Sequence, residues 1–473
     1  MKPASKLLGC AFATVIALSA CASDPAAVTT ETPVKQGLAT TTSVEQQPLS
    51  DSFRGVTKEK IKVGIMVIDQ DCIKDFVDSS RGPQQAIAEA SISYINDNGG
   101  VLGREIEPVF KKYCPIPGRQ PDPLTLCTSL ADDDKVFAVL GVFIDFSGDG
   151  QKCLTKDKAT IMIGHEINQF MIDDSIPGLL LTPDSTKEGV ASTAINLAYK
   201  EGKLDGLVVA TLGDQDTAAK VNKPIVLPLL KKLGVKTGSA ATISITGTDT
   251  SAAQAQMDGF VERWKSEDVG AVFISGNQAS AKQFVEKIKK ELPDALIITD
   301  VSSAASQARD LTNALKGTGR PNPYEGMLSA DGQSVTDRWD NKNDLLKECV
   351  QAWEDASGTT LLGPGEAKND KNGDREETHV GVTDFCGELL MFKVIAERAG
   401  GNLTNDSWIA AVNSFGPIKL VATDYASLCT GKYSADDAAR LVSFDSSLGN
   451  QGGEWDPITE IGDSSNGACK KSA

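Results

Sequence analysis

Six short stretches hold the side chains most able to do chemistry, and each closes an apolar run. They are Asp69-Gln70-Asp71-Cys72, Phe143-Ile144-Asp145-Phe146-Ser147, Gly164-His165-Glu166-Ile167-Asn168, Gly213-Asp214-Gln215-Asp216-Thr217, Gly276-Asn277-Gln278 and Asp300-Val301-Ser302-Ser303. Carboxylates, amides and hydroxyls in such places suit the reversible grip of a small polar molecule. In open parallel sheets ligands sit beyond the C-terminal strand ends, where helix N-termini offer free N–H groups to anions. This gives Asp145, Ser147, His165, Asn168, Asp214, Asp216, Asn277, Gln278 and Asp300 as candidate ligand contacts. An Asp at a strand end is equally suited to capping a helix. Catalysis has weaker support. The chain has 2 histidines, His165 and His379, and it lacks Gly-x-Ser-x-Gly, His-Glu-x-x-His, Walker-type and Gly-x-Gly-x-x-Gly motifs. No catalytic residue is assigned and no cofactor is expected.

The cysteines fall into an ordered set. Beyond Cys10 and Cys21 stand Cys72, Cys114, Cys127, Cys153, Cys349, Cys386, Cys429 and Cys469. An even number in an exported chain predicts disulfides. Four precede residue 155 and four follow residue 348. Pairing within each group is favoured, because ends of short loops tend to be near in space. A metal site is the weaker alternative, since no Cys-x-x-Cys occurs and histidine is scarce. Asp370, Asn372 and Asp374 have the first oxygen positions of a calcium loop, but Gly373 comes too early and Gly381 stands where a Glu is needed. No metal ligand is assigned. The net charge of −17 excludes nucleic acid as a natural partner, since phosphate binding needs a basic surface.

The N-terminus carries an address. Lys2 and Lys6 precede an apolar run from Leu7 to Leu18, the order of an export signal. The run is too short to span a bilayer, which needs about 20 residues. It ends in Leu18-Ser19-Ala20-Cys21, which resembles a bacterial lipobox. That resemblance implies a signal over 1–21, a lipid on Cys21 and a chain held at the outer face of the cell membrane. Residues 22–57 are rich in Ala, Thr, Ser, Gln and Pro and read as a disordered tether. With a mean reach of roughly 30–35 Å, it would hold a folded domain just off the membrane.

The elements that must position these residues alternate. Buried-strand patterns at 61–68, 105–110, 136–142, 160–163, 206–211, 271–275 and 295–299 are interleaved with helical periods. The helices are expected at 84–96, 123–131, 186–200, 217–233, 251–266, 278–290, 342–356 and 382–399, and 357–380 reads as a long polar loop. Such alternation predicts an α/β fold with parallel sheets covered on both faces.

Ile61-Lys-Val-Gly-Ile65, then Tyr94-Ile-Asn-Asp-Asn-Gly-Gly-Val-Leu-Gly-Arg104, resembles the opening of type I periplasmic binding proteins, in the leucine, isoleucine and valine branch. Phe137-Ala-Val-Leu-Gly141, Glu325-Gly-Met-Leu328 and the helix Phe385 to Gly400 are similar to later segments of that family, in the same order. The resemblance implies two Rossmann-like lobes joined by three crossings, here near Asp184, Ser329 and Leu441. Lobe one would be 58–184 with 330–441, and lobe two 185–329 with 442–473. It also implies a monomeric receptor that holds a small molecule between its lobes and passes it to an ABC-type permease. A ligand sensor of the same fold and an exported enzyme are the alternatives. In the family's amino-acid binders, hydroxyls after the third and fourth strands hold a carboxylate, an acid in lobe two holds the ammonium, and aromatics cover the side chain. Here Asp145 stands near the hydroxyl position and Asp300 near the acid, and the lobe-two loops lack aromatics. That departure favours a polar or cationic ligand over an aliphatic one.

Overall fold

The computed structural model describes residues 48–73, 79–116, 121–145, 147–244, 251–276, 279–300, 303–333, 335–366, 368, 375–449, 452–464 and 467–469. The export signal, Cys21 and most of the tether therefore lie outside the described residues, as do Asp370, Asn372 and Asp374. The segment 46–473 forms one compact unit.

Two sheets organise that unit. The first runs Glu105–Tyr113, Lys60–Ile68, Ala138–Gly141, Ile161–Ile163, Leu180–Leu181 from edge to edge, all parallel. The second runs Glu454–Pro457, Ala438–Asp445, Leu328–Asp331, Leu296–Thr299, Val269–Ser275, Val208–Asp214, Lys236–Ile243. Its last five strands are parallel, and Ala438–Asp445 returns antiparallel to Leu328–Asp331. The apolar runs have a simple cause in lobe two. Along Val269–Ser275, Val272 and Ile274 pack into one core layer, and Ala271 and Phe273 into the other. Side chains alternate across a strand, so burial of both faces demands an unbroken apolar sequence.

Lobe one has one core, shared by its sheet and the helices Gln84–Asp97, Asp344–Ser357 and Thr378–Ala399. The glycine-rich motif after the first helix is structural. Asn96 bonds both the N–H and the carbonyl of Ile106, at 2.8 and 3.1 Å, and so fixes the return strand. Gly100 has φ +62, and a Cβ there would lie 2.0 Å from the Arg104 carbonyl. Arg104 is fully buried and donates to the carbonyls of Thr57, Ser50 and Gly401. Only glycine allows that turn to close.

The structure differs from expectation in several places, among them the strand Lys236–Ile243 and the helices Ser303–Leu315 and Asn405–Asn413, for which no element is expected from sequence. Residues 48–57, read as tether, pack on lobe one: Ser52 donates to the Leu403 carbonyl at 2.7 Å, and Val56 is buried. The strand Ala438–Asp445 and its partner Glu454–Pro457 carry the sheet past its parallel part, a hairpin without a sequence signal strong enough to place it. The long loop is shorter at its end, because its helix starts at Thr378.

The cysteines pair as Cys72–Cys114, Cys127–Cys153, Cys349–Cys386 and Cys429–Cys469, with Cα atoms 5.7–6.1 Å apart. Every bridge stays within its expected group. Among the described residues, no helix is long and apolar enough to cross a membrane, and no cluster of His, Cys, Asp and Glu is placed to hold a metal ion.

Candidate functional site

The chain passes between the lobes three times. Asp184 and Ser185 follow the last strand of the first sheet. Gly332 follows Leu328–Asp331, and Asp436 precedes Ala438–Asp445. The segments touch: Thr182 bridges Ser434, and Ser185 Oγ donates to Asp436 Oδ2 at 3.3 Å. Above this floor a cleft of about 970 Å³ lies between the lobes. Arg81, His165 and Asp384 line it from lobe one, and Asp300, Arg309 and Trp455 from lobe two.

The lobe-one wall is a network of paired charges. Arg81, which precedes the helix Gln84–Asp97, forms an ion pair with Asp384. His165 Nδ1 lies 2.6 Å from Asp184 Oδ2, and its Nε2 lies 3.3 Å from Glu388 Oε1 and 3.7 Å from Asp384 Oδ1. Burial alone would drive the imidazole to its neutral form. The Asp184, Asp384 and Glu388 carboxylates overcome that and raise its pKa to about 10. His165 is therefore a cation at neutral pH. Burial raises Glu388 to about 8, with the charge on His165 opposing it. Its other oxygen accepts the N–H of Gly141. Gly141 has φ +98, and a Cβ there would lie 2.4 Å from the Met66 carbonyl, so only glycine brings this N–H to Glu388. The second histidine behaves oppositely. Burial, with Arg309 and Arg375 nearby, lowers His379 to about 4 despite the Glu377 carboxylate, and leaves it neutral beside Trp339.

The floor and the lobe-two wall are less balanced. Lys187 opens the helix Lys187–Lys200 and is buried, paired with Glu166 of lobe one at 2.9 Å. Asp300 is buried, accepts from Ser275 Oγ and from the Gly276 N–H, and is raised by burial to about 7. Burial, then the charges of Asp184 and Asp331, raise Asp436 to about 7. Burial also raises Asp331, with Arg338 and Arg440 opposing.

Two contacts join the lobes at the rims. Lys220 of lobe two donates to the Ser147 carbonyl at 2.7 Å and lies 3.9 Å from the centre of the Phe170 ring. Across the cleft, Arg375 of lobe one reaches Asp310 at 2.9 Å and Ser306 at 2.8 Å on the helix Ser303–Leu315.

Of the nine candidates from sequence, His165 and Asp300 line the cleft, on opposite walls. The Asp145 carboxylate turns inward, accepting from Ser147 and from the Gly150 N–H at 2.7 Å, and so caps the following helical turn. Ser147 lies at the small rim cavity beside Lys220. Asp214 caps the turn at Gln215–Thr217 through the Thr217 N–H. Asn168 is buried at the start of the helix Gln169–Asp173 and makes no capping bond. Asn277 and Gln278 lie outside the described residues, and so does the Asp216 side chain. Sequence reasoning missed Arg81, Lys187, Arg338, Asp384 and Glu388. One signal was present: Asp384 and Glu388, four apart, share a helix face at the largely apolar stretch 385–392, where an acid needs a partner.

No family model matches the sequence, and no curated protein matches it. Solved structures do. The solute-binding protein of an ABC transporter from Rhodopseudomonas palustris BisB5, in complex with 3,4-dihydroxybenzoic acid, is 15% identical with a TM-score of 0.56; the alignment covers 85% of this chain and 97% of that one. A branched-chain amino acid ABC transporter protein from Thermus thermophilus with bound valine is 14% identical, covers 86% and 97%, and has a TM-score of 0.59. A fatty acid ABC transporter substrate-binding protein from Thermomonospora curvata is 16% identical, covers 88% and 96%, and has a TM-score of 0.59. The chain therefore has the type I periplasmic binding protein fold: two α/β lobes with parallel sheets and a three-segment hinge.

Proposed function

We propose that this protein is a lipid-anchored, extracytoplasmic solute-binding receptor that delivers a small polar molecule to an ABC-type importer. The observation that carries the reading is the cleft between the lobes, lined by charged side chains from both walls and floored by the three crossings. Binding across such a hinge favours the closed form by contacts made only when both lobes reach the ligand. The hinge lies at 182–186, 331–333 and 434–438. Core membership supports the last of these, since Ala435 packs in lobe one and Ala439 in lobe two. His165 and Asp300 face the ligand from opposite walls. The lipobox at Cys21 supports the anchor, and the permease is the partner implied by proteins of the same fold. The receptor is a monomer without a cofactor or bound metal and has no enzymatic step.

The test is thermal-shift and native mass spectrometry on the soluble fragment from Gln47, against amino acids, amines, aromatic acids and small sugars. At least one solute should raise the melting temperature and bind one to one. If none binds, the receptor reading fails. Metabolic labelling with palmitate, compared with Cys21→Ala, tests the anchor: label should be lost in the variant.

A further inference from the structure

Each of the three crossings brings one aspartate to the floor of the cleft: Asp184, Asp331 and Asp436. The convergence is geometric. Asp436 Oδ2 accepts from Ser185, beside Asp184. The same oxygen lies 3.3 Å from where a Cβ on Gly332, beside Asp331, would sit. Asp184 has a partner in His165. Asp331, Asp436 and, on the lobe-two wall, Asp300 are in no ion pair among the described residues. Asp436 Oδ1 is buried and accepts no hydrogen bond. Arg338 and Arg440 act on Asp331, and Lys187 acts on Asp300, without forming an ion pair with either among the described residues, and one Arg338 nitrogen, Nη1, donates to the Ala422 carbonyl at 2.9 Å.

Resting on the receptor reading, we infer that the ligand is a small organic cation, an amine or guanidine of net positive charge, whose N–H groups are taken by Asp331 and Asp436. Such a group supplies the charge the floor lacks and a donor to the unpartnered oxygen. A metal ion is a poor alternative, because the described side chains form no metal-ligating cluster. The siting also couples charge to motion. Asp331 and Asp436, on two of the crossing segments, repel each other, and Asp184 on the third adds to this in part, since His165 pairs with it. A cation bound among them removes that repulsion only in the closed arrangement, so its charge contributes to closure.

Calorimetric titration of the wild-type fragment at pH 8 tests this with putrescine, agmatine and arginine as cations, leucine as a zwitterion, and 4-hydroxybenzoate as an anion. At least one cation should bind, and leucine and 4-hydroxybenzoate should bind at least ten-fold more weakly. Asp331→Asn and Asp436→Asn should each weaken the cation at least ten-fold, and Asp344→Asn, whose side chain is 93% exposed, should leave it unchanged. Circular dichroism melts confirm that each variant is folded. Binding of only leucine or 4-hydroxybenzoate overturns the cation and leaves the receptor reading standing. A cation whose affinity ignores both floor variants overturns the subsite. Failure of every solute, including those of the wider screen, overturns both.

Discussion

The two lobes meet the same cleft with different chemistry. All four disulfides lie in or against lobe one, and its wall charges are paired: Arg81 with Asp384, and His165 with Asp184 and Glu388. The bridge Cys429–Cys469 ties the C-terminal tail, counted with lobe two above, to lobe one, and no bridge closes within lobe two among its described residues. Its Asp300 and the floor carboxylates Asp331 and Asp436 form no ion pair among the described residues, although Lys187 acts on Asp300 and Arg338 and Arg440 act on Asp331. A stapled, charge-balanced lobe is a platform; an unstapled lobe with surplus carboxylate is the half whose energy a ligand can still change.

Breaking the bridges should have the largest effect. The chain-entropy argument gives about 4 kcal/mol for a closed loop of the Cys349–Cys386 size. Full reduction should therefore split the calorimetric melt, with lobe one unfolding first. A single unsplit transition would mean the lobes do not differ in this way. Next comes the paired wall. His165→Leu removes the cation shared by Asp184, Asp384 and Glu388, leaving Arg81 on Asp384, and should destabilise by about 2–3 kcal/mol, less than a fully buried pair because Asp184 is partly exposed. Chemical denaturation reads it directly.

The same contrast has a pH signature. His165 is raised in the folded state, so its stabilisation is complete below about 6.5 and is lost as pH rises through about 10. Asp300 and Asp436 are raised acids, so the folded state holds their protons more tightly, and stability falls as pH rises from about 4 to about 7. Melting temperature should decline from pH 5 to pH 10, in a first step that Asp300→Asn reduces and a second that His165→Leu abolishes. Asp300→Asn should raise stability by up to about 4 kcal/mol at pH 8, the equivalent of a rise to about 7 from the ordinary carboxylate value, and change little at pH 4. The smallest effect is at the rim. Lys220→Met removes one interlobe hydrogen bond worth about 1 kcal/mol. It should enlarge the radius of gyration by scattering while leaving the melt nearly unchanged.

Much of the scaffold was legible in the chain. Strand 61–68, the helix at 84–96 and the motif closing on Arg104 read correctly because their causes are local: apolar period, a helix stop, a glycine at positive φ. The disulfide grouping was legible for a similar reason, since loops of 26–42 residues keep their ends close. The site was legible only in part. Strand-end position alone does not tell a ligand contact from a helix cap. Asp145 and Asp214 spend their carboxylates on backbone N–H groups, whereas Asp300 and His165 reach the cleft.

The sequence by itself determined the fold class and the places where loops could gather at one end of each sheet, because periodicity and short motifs act over a few residues. Tertiary structure alone decided which charges meet. Asp184, Asp331 and Asp436 come from segments up to about 250 residues apart, and Arg81 finds Asp384 across 303. Pairing and desolvation depend on distance and burial, and no local pattern encodes either. That is why a cation-poor floor, the feature that most narrows the ligand, emerges only once the three crossings are brought together.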